Sequence, residues 1–194
     1  LRNALTSRDL SYDIDDGGGA FYGPKIDIKI KDALNRDWQC STVQFDFNLP
    51  ERFDLTFQDS DGNRRRPYMV HRAILGSLER FFGVLIEHYA GAFPLWLAPT
   101  QVVIIPIADR HLEYAQEVRS LLQKHRFRVE VDDRGERMNQ KIRQAQMQKI
   151  PYMLILGDRE QEQQAVSARS RESGDLGSMQ ISDLVARLDT EVLP

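Results

Sequence analysis

The sequence predicts a chain of two units, an α+β first half and an α/β second half with a mostly parallel, mixed sheet. Three observations carry this. Strand-type alternation and aromatic runs fill the first fifty residues and give way to a helical period. A proline-bearing stretch, Gly91 to Gln101 (GAFPLWLAPTQ), then interrupts the chain, and from residue 102 strands and helices alternate. A length of 194 residues suits two domains of about 100 each. Because Pro94 and Pro99 would stop any helix, the boundary is expected there, giving units 1–98 and 99–194.

Asp27 to Ile30 reads Asp-Ile-Lys-Ile, the alternation of a half-buried strand. Trp38 to Phe47 is a longer strand, WQCSTVQFDF. On a regular strand Trp38, Cys40, Thr42, Gln44 and Asp46 share one face, and Gln39, Ser41, Val43, Phe45 and Phe47 the other. Polar residues on both faces of so aromatic a strand suggest that one face is a site and not packed core. Gly17-Gly18-Gly19 reads as a tight turn, and Tyr22-Gly23-Pro24-Lys25 as a second one. From about Met69 to Tyr89 the period becomes helical, with Ile74, Leu78, Phe81, Phe82, Leu85 and Ile86 forming an apolar stripe.

In the second half, strand 102–107 precedes a helix from about Arg110 to Lys124. Strand Phe127–Asp132 precedes a helix from about Gly135 to Lys149. Strands at Tyr152–Gly157 and around Val166–Arg169 follow, and a helix from about Ile181 to Val192 closes the unit. This βαβαβ order argues helical cover over a compact sheet.

Apolar residues at 41% and charged residues at 28% exclude a disordered or low-complexity chain. The apolar runs are shorter than ten residues, whereas a membrane helix needs about twenty. A lone cysteine, Cys40, cannot form an internal disulfide, which fits a reducing compartment and a cytoplasmic protein. The net charge of −3 makes no global case for nucleic acid. Locally, residues 124–149 hold eight basic and four acidic side chains, an excess that phosphate contact would need and that a solvated helix face would also show. No dinucleotide fingerprint, P-loop, HExxH or CxxC is present, and His71, His88, His111 and His125 have no local metal spacing. Taken singly, His71 reads as a capping or core histidine at a helix start, and Cys40 as an inert small hydrophobe. The chain opens at Leu1 without a signal or transit sequence, and reads as the C-terminal piece of something longer.

Longer strings say more. GGGAFYGPKIDIKI, DWQCSTVQFDFNLPERFDLTF, HRAILGSLERFFGVLIEHYAGAFPLWLAPTQVVIIPI and RVEVDDRGERMNQKIRQAQMQKIPYMLILGDRE together resemble the C-terminal half of the threonyl-tRNA synthetases, from about Gly17 onward. GSLER with Gly76 and Arg80 resembles the third signature motif of class II aminoacyl-tRNA synthetases, and the VHRAILGSLERF context resembles the threonyl type. The resemblance implies an antiparallel-sheet catalytic domain followed by an anticodon-binding domain. It implies threonine activation by ATP with Mg2+, transfer to tRNA(Thr), and a homodimer of the full-length protein.

Residue roles follow from the same resemblance. His71 matches a zinc ligand whose two companions lie outside this chain; Cys40 is not one of them. Arg80 and Lys25 match catalytic positions at ATP and the adenylate, while Tyr22, Gln39, Gln44 and Ser77 match positions lining the ATP and threonine sites. Gln39 and Gln44 are five apart, so they face opposite sides of a regular strand unless a bulge intervenes. Glu160 and Arg169 match positions that read anticodon bases, and Gly135 stands where an asparagine is common. The first two class II motifs are missing, so this stretch alone is expected neither to form adenylate nor to hold zinc tightly. A non-catalytic tRNA-binding relative, or another synthetase sharing this anticodon-domain type, remains as an alternative.

Overall fold

The structure is a computed structural model that describes residues 1–192. The chain divides into two compact units, Leu1–His88 and the stretch from Tyr89 onward.

The first unit begins with a short helix α1 (Arg2–Thr6). Its centre is a three-stranded antiparallel sheet of β1 (Lys25–Lys31), β2 (Asp37–Asp46) and β5 (Met69–Ala73), in the order β1-β2-β5. Alternation sets β1: Ile26, Ile28 and Ile30 share one side, Lys25, Asp27 and Lys29 the other. The β1–β2 turn is built on Asp32, whose buried carboxylate accepts the N–H groups of Leu34 (2.8 Å) and Arg36 (2.9 Å). After β2 comes α2 (Asn48–Arg52), then a small hairpin of β3 (Phe57–Gln58) and β4 (Arg64–Arg65), and after β5 the helix α3 (Leu78–Tyr89).

Residues 69–73 were expected to be helical and are instead a strand. Five residues are too few for periodicity to separate the two states, and pairing with β2, with Met69 opposite Asp46 and His71 opposite Gln44, decides the matter. His71 therefore sits mid-strand and not at a helix start. The apolar stripe of α3 exists, but no residue of the helix is buried among the described residues, and Leu78, Phe82 and Ile86 stand exposed.

The second unit is a five-stranded mixed sheet in the order β10-β9-β8-β6-β7. Its elements are β6 (Val102–Pro106), a 3-10 turn (Asp109–His111), α4 (Leu112–Lys124), β7 (Val129–Val131), α5 (Met138–Met147), β8 (Tyr152–Leu156), α6 (Asp158–Gln163), β9 (Ala165–Ser170), β10 (Gly174–Gln180) and α7 (Ile181–Val192). Parallel pairing joins β6 to β7 and β8; β8–β9 and β9–β10 are antiparallel. Neither α6 nor β10 was legible: Gly174 and Gly177, both at positive φ, flank a register shift in a polar segment that reads as a loop.

Alternation in the sheet sorts its two faces. Val102, Ile104, Leu154, Leu156, Val166 and Ala168 point to a core shared with α4 (Tyr114, Ala115, Val118, Leu122) and α7 (Leu184, Val185, Leu188). Val103, Ile105 and Met153 point the other way, against Ile142 and Ala145 of α5. Each fully buried leucine or isoleucine here contributes about 1.5–3 kcal/mol relative to exposure. The proline-bearing stretch packs within this unit. Leu95 joins the core, Gln101 donates to the Leu95 carbonyl (2.8 Å), and Arg128 donates to the carbonyls of Ala98 (2.9 Å) and Trp96 (2.8 Å).

Candidate functional site

The candidate site of the first unit grows out of one irregularity in β2. Thr42 pairs with Asp27 and Ser41 with Ile28, but the next β1 residue, Lys29, pairs with Gln39, so Cys40 drops out of the ladder. A bulged residue resets the alternation. Gln39 thus joins the side of β2 that carries Thr42, Gln44 and Asp46, where a regular strand would have turned it away. Its amide donates to Asp27 Oδ1 (2.7 Å) and to Thr42 Oγ1 (2.8 Å), which places it on that side directly.

Two features hold the bulge. Ser41 Oγ donates to the Ile74 carbonyl. Gly76, at φ +67, lies so close that an added Cβ would stand 3.1 Å from the Cys40 carbonyl oxygen. The glycine of the GSLER string thus supports the strand opposite, and Cys40 itself is buried.

The result is a polar row across three strands: Lys25 and Asp27 on β1, Gln39, Thr42, Gln44 and Asp46 on β2, and His71 on β5. Lys25 Nζ lies 2.5 Å from Asp27 Oδ2, and Thr42 Oγ1 donates to Asp27 Oδ1 at 2.7 Å. Burial pushes the Asp27 carboxyl up, but the hydrogen bonds from Lys25 and Thr42 outweigh it, and the net movement is downward. At the other end, His71 Nε2 meets Asp46 Oδ2 at 2.7 Å. Burial also raises Asp46, and the His71 contact with the N–H groups of Leu49 and Asn48 brings it below the usual carboxylate range. Among the described residues no group of three His, Cys, Asp or Glu side chains could hold a metal ion.

Arg80, Ser77 and Tyr22 lie outside this row. Arg80, on the first turn of α3, has its guanidinium 5.5 Å from the centre of the Trp38 ring, and Arg36 lies 5.7 Å from the same ring. Trp38 pairs with Ile30, on the apolar side of β1, and its Nε1–H donates to the buried Asp32 at 2.9 Å. Ser77 precedes α3, where its hydroxyl donates to Glu79 (2.8 Å) and accepts the Arg80 N–H (3.4 Å). Tyr22 stands before β1 in an edge-on contact with Phe21. Its turn needs Gly23: a Cβ there would fall 2.0 Å from the Phe45 carbonyl oxygen.

In the second unit, Glu160 is buried and both its oxygens accept hydrogen bonds, Oε2 from the Gly157 N–H (3.0 Å) and Oε1 from Ser167 Oγ (2.8 Å). Ser167 and Arg169 alternate with the core residues Val166 and Ala168, so both point to the α5 side of β9. Glu160, through its bond from Ser167, and Arg169 are therefore on the same side of β9. The basic excess of residues 124–149 is partly consumed inside the unit. Lys141 is buried on the Asp132 carbonyl (2.8 Å), and Arg134 pairs with Asp132 (2.6 Å) and Glu136 (3.4 Å). Gly135 has open space where a Cβ would point.

Residues 4–89 match the tRNA synthetase class II core domain (G, H, P, S and T), and residues 101–191 match an anticodon binding domain. Residues 4–89 belong to the class II synthetase core family and residues 101–191 to the anticodon-binding one. The chain is similar to threonine–tRNA ligases from Sulfurihydrogenibium sp. (59% identical over 97% of this chain and 29% of that protein) and Aquifex aeolicus (58% over 94% and 28%). The crystal structure of the RNA binding domain of threonyl-tRNA synthetase from Cryptosporidium parvum superposes with a TM-score of 0.90 at 38% identity, over the whole of this chain and 49% of that one. The chain spans less than a third of the length of the curated relatives it matches.

Four residues were not singled out from sequence: Asp27, Thr42 and Asp46 in the row, and Trp38 beneath Arg80. Period-two alternation carried a signal for the row, since Asp27 flanks Lys25 at two residues and Asp46 flanks Gln44 likewise. Cross-strand register was the part it lacked.

Proposed function

We propose that the protein containing this chain is a threonine–tRNA ligase, activating threonine with ATP and passing it to tRNA(Thr). The polar row from Lys25 to His71 carries the reading, because it offers an amino-acid substrate a cation, amides and an imidazole on one wall. In this reading Lys25 offsets adenylate charge. Gln39 and Gln44, brought to the same side by the bulge, supply donors and acceptors to the nucleotide and the amino acid. Arg80, steadied on Trp38, supplies a guanidinium for phosphate or adenine, with Mg2+ accompanying ATP.

His71 fits the role of a zinc ligand: it is half-buried on the row, and one ring nitrogen is already engaged by a carboxylate, as metal-binding imidazoles usually are. The remaining ligands come from outside these residues. When bound, zinc would supply a Lewis-acidic centre for the amine and hydroxyl of threonine. A site that demands a hydroxyl rejects valine by far more than an apolar pocket of the same size does. In the second unit, Arg169 offers a guanidinium to unpaired anticodon bases, and Glu160, buried with each oxygen already holding one donor, reaches a base only through a remaining lone pair. We further assign the protein to the cytoplasm and to a homodimer; among the described residues no helix is long and apolar enough to cross a membrane.

The test is threonine-dependent ATP–pyrophosphate exchange by the full-length protein, with His71→Ala as comparison. Exchange with threonine, absent with valine and strongly reduced in the variant, is expected. Equal exchange with both amino acids, or a variant as active as its parent, would overturn the assignment.

A further inference from the structure

We propose that Asp46 is the positioning residue of His71: it holds the ring in the tautomer that keeps the proton on Nε2 and would leave the Nδ1 lone pair available to zinc. The inference rests on the zinc reading above and names the nitrogen and the residue that selects it. Asp46 ends β2 with only 1% of its surface exposed. Its Oδ1 accepts the backbone N–H groups of Asn48 (2.8 Å) and Leu49 (3.0 Å), and its Oδ2 lies 2.7 Å from His71 Nε2. The backbone cannot reverse its two donors, so the carboxylate is locked in place. An ionised carboxylate only accepts, so in the neutral ring the Nε2 position carries the proton and Nδ1 the lone pair. A metal binds imidazole through that unprotonated nitrogen, and outer partners of this kind fix ring orientation and ligand strength.

The same aspartate also caps α2, so a plain truncation would mix two effects. Asp46→Asn separates them. Its amide oxygen keeps the N–H groups of Asn48 and Leu49, and those two donors prevent the amide from flipping. The NH2 group then faces Nε2, donor toward donor, and the ring relieves this only by moving its proton to Nδ1. The cap survives while the ligand nitrogen is blocked.

In the full-length protein, zinc affinity is measured by competition with a chromogenic chelator, and folding by thermal melting. Asp46→Asn is expected to stay folded, melting somewhat below the parent because the depressed carboxylate adds stability at neutral pH, and to bind zinc about 10- to 100-fold more weakly. A folded variant with parental zinc affinity would overturn the inference and leave the zinc reading standing. A parent protein that holds no zinc would overturn both. A second measurement does not depend on the variant folding: in histidine-labelled parent protein, the 15N shifts of His71, assigned by comparison with His71→Gln, should show a protonated Nε2. A protonated Nδ1 would refute the proposal.

Discussion

Gly76→Ala should damage this protein in two ways that can be measured apart. The first is conformational. Gly76 sits at φ +67, where a residue with a Cβ loses roughly 1–2 kcal/mol. The second is contact. The new methyl would lie 3.1 Å from the Cys40 carbonyl oxygen, 3.5 Å from that of Gln39 and 3.6 Å from the Cys40 Cα. All three are backbone atoms of the bulge, so relief means displacing the strand by a few tenths of an ångström. That adds about 1 kcal/mol, the low end of overpacking, and tilts Gln39 off the polar row. Gly62→Ala supplies the control, because Gly62 has φ +80 and nothing within 4 Å of the added atom. Denaturant unfolding of both full-length variants should show a loss in each and a larger loss for Gly76→Ala, by about 1 kcal/mol. Pyrophosphate exchange should show a raised KM for ATP in Gly76→Ala alone. Equal losses of stability with an unchanged KM in both variants would refute the claim that Gly76 supports the bulge.

Three further outcomes are expected. Trp38→Leu removes the ring beneath the exposed Arg80, an interaction worth about 0.5–1 kcal/mol, and should raise the KM for ATP roughly 2- to 5-fold while that for threonine stays put; steady-state exchange kinetics would check it. Asp32 is held well below the usual carboxylate range, first by the Trp38 Nε1–H and then by the Arg36 and Leu34 N–H groups against the opposing effect of burial. A depressed folded value means stability present above the unfolded value of about 3.9 and lost as pH falls below it. The stability gap between Asp32→Asn and its parent should therefore be widest near neutrality and shrink below about pH 4 in melts across a pH series. Gly135→Asn meets open space and no left-handed backbone, so it should leave melting unchanged. Filter binding should report tighter tRNA(Thr), since the position gains a side-chain amide able to reach a base.

How much of this was legible in the sequence depended on where the deciding contacts lie. The α4, α5 and α7 helices and the β6 and β8 strands could be read from local periodicity, because each buries a single stripe or a short apolar run. β5 could not, because its five residues take their state from β2, more than twenty positions upstream in the chain. β10 was masked by Gly174 and Gly177, which allow its irregular pairing and carry no apolar signal. For the site, the family resemblance named Lys25, Gln39, Gln44 and His71, while residue type alone left His71 a capping or core histidine; the strand parity of the two glutamines depended on a bulge that no local rule marks. Asp46 stayed hidden for a related reason: an acid at a strand end looks like solvent-facing punctuation until β5 is laid beside it.

The dropped beat at Cys40 has a consequence for anyone engineering this strand. An ideal ladder through all ten positions would be flatter, better paired and more regular by any backbone criterion. It would also rotate one glutamine to the far side of the sheet and leave the wall with half its amides. Here the imperfection is what aims Gln39, and tidying it would trade that aim for regularity.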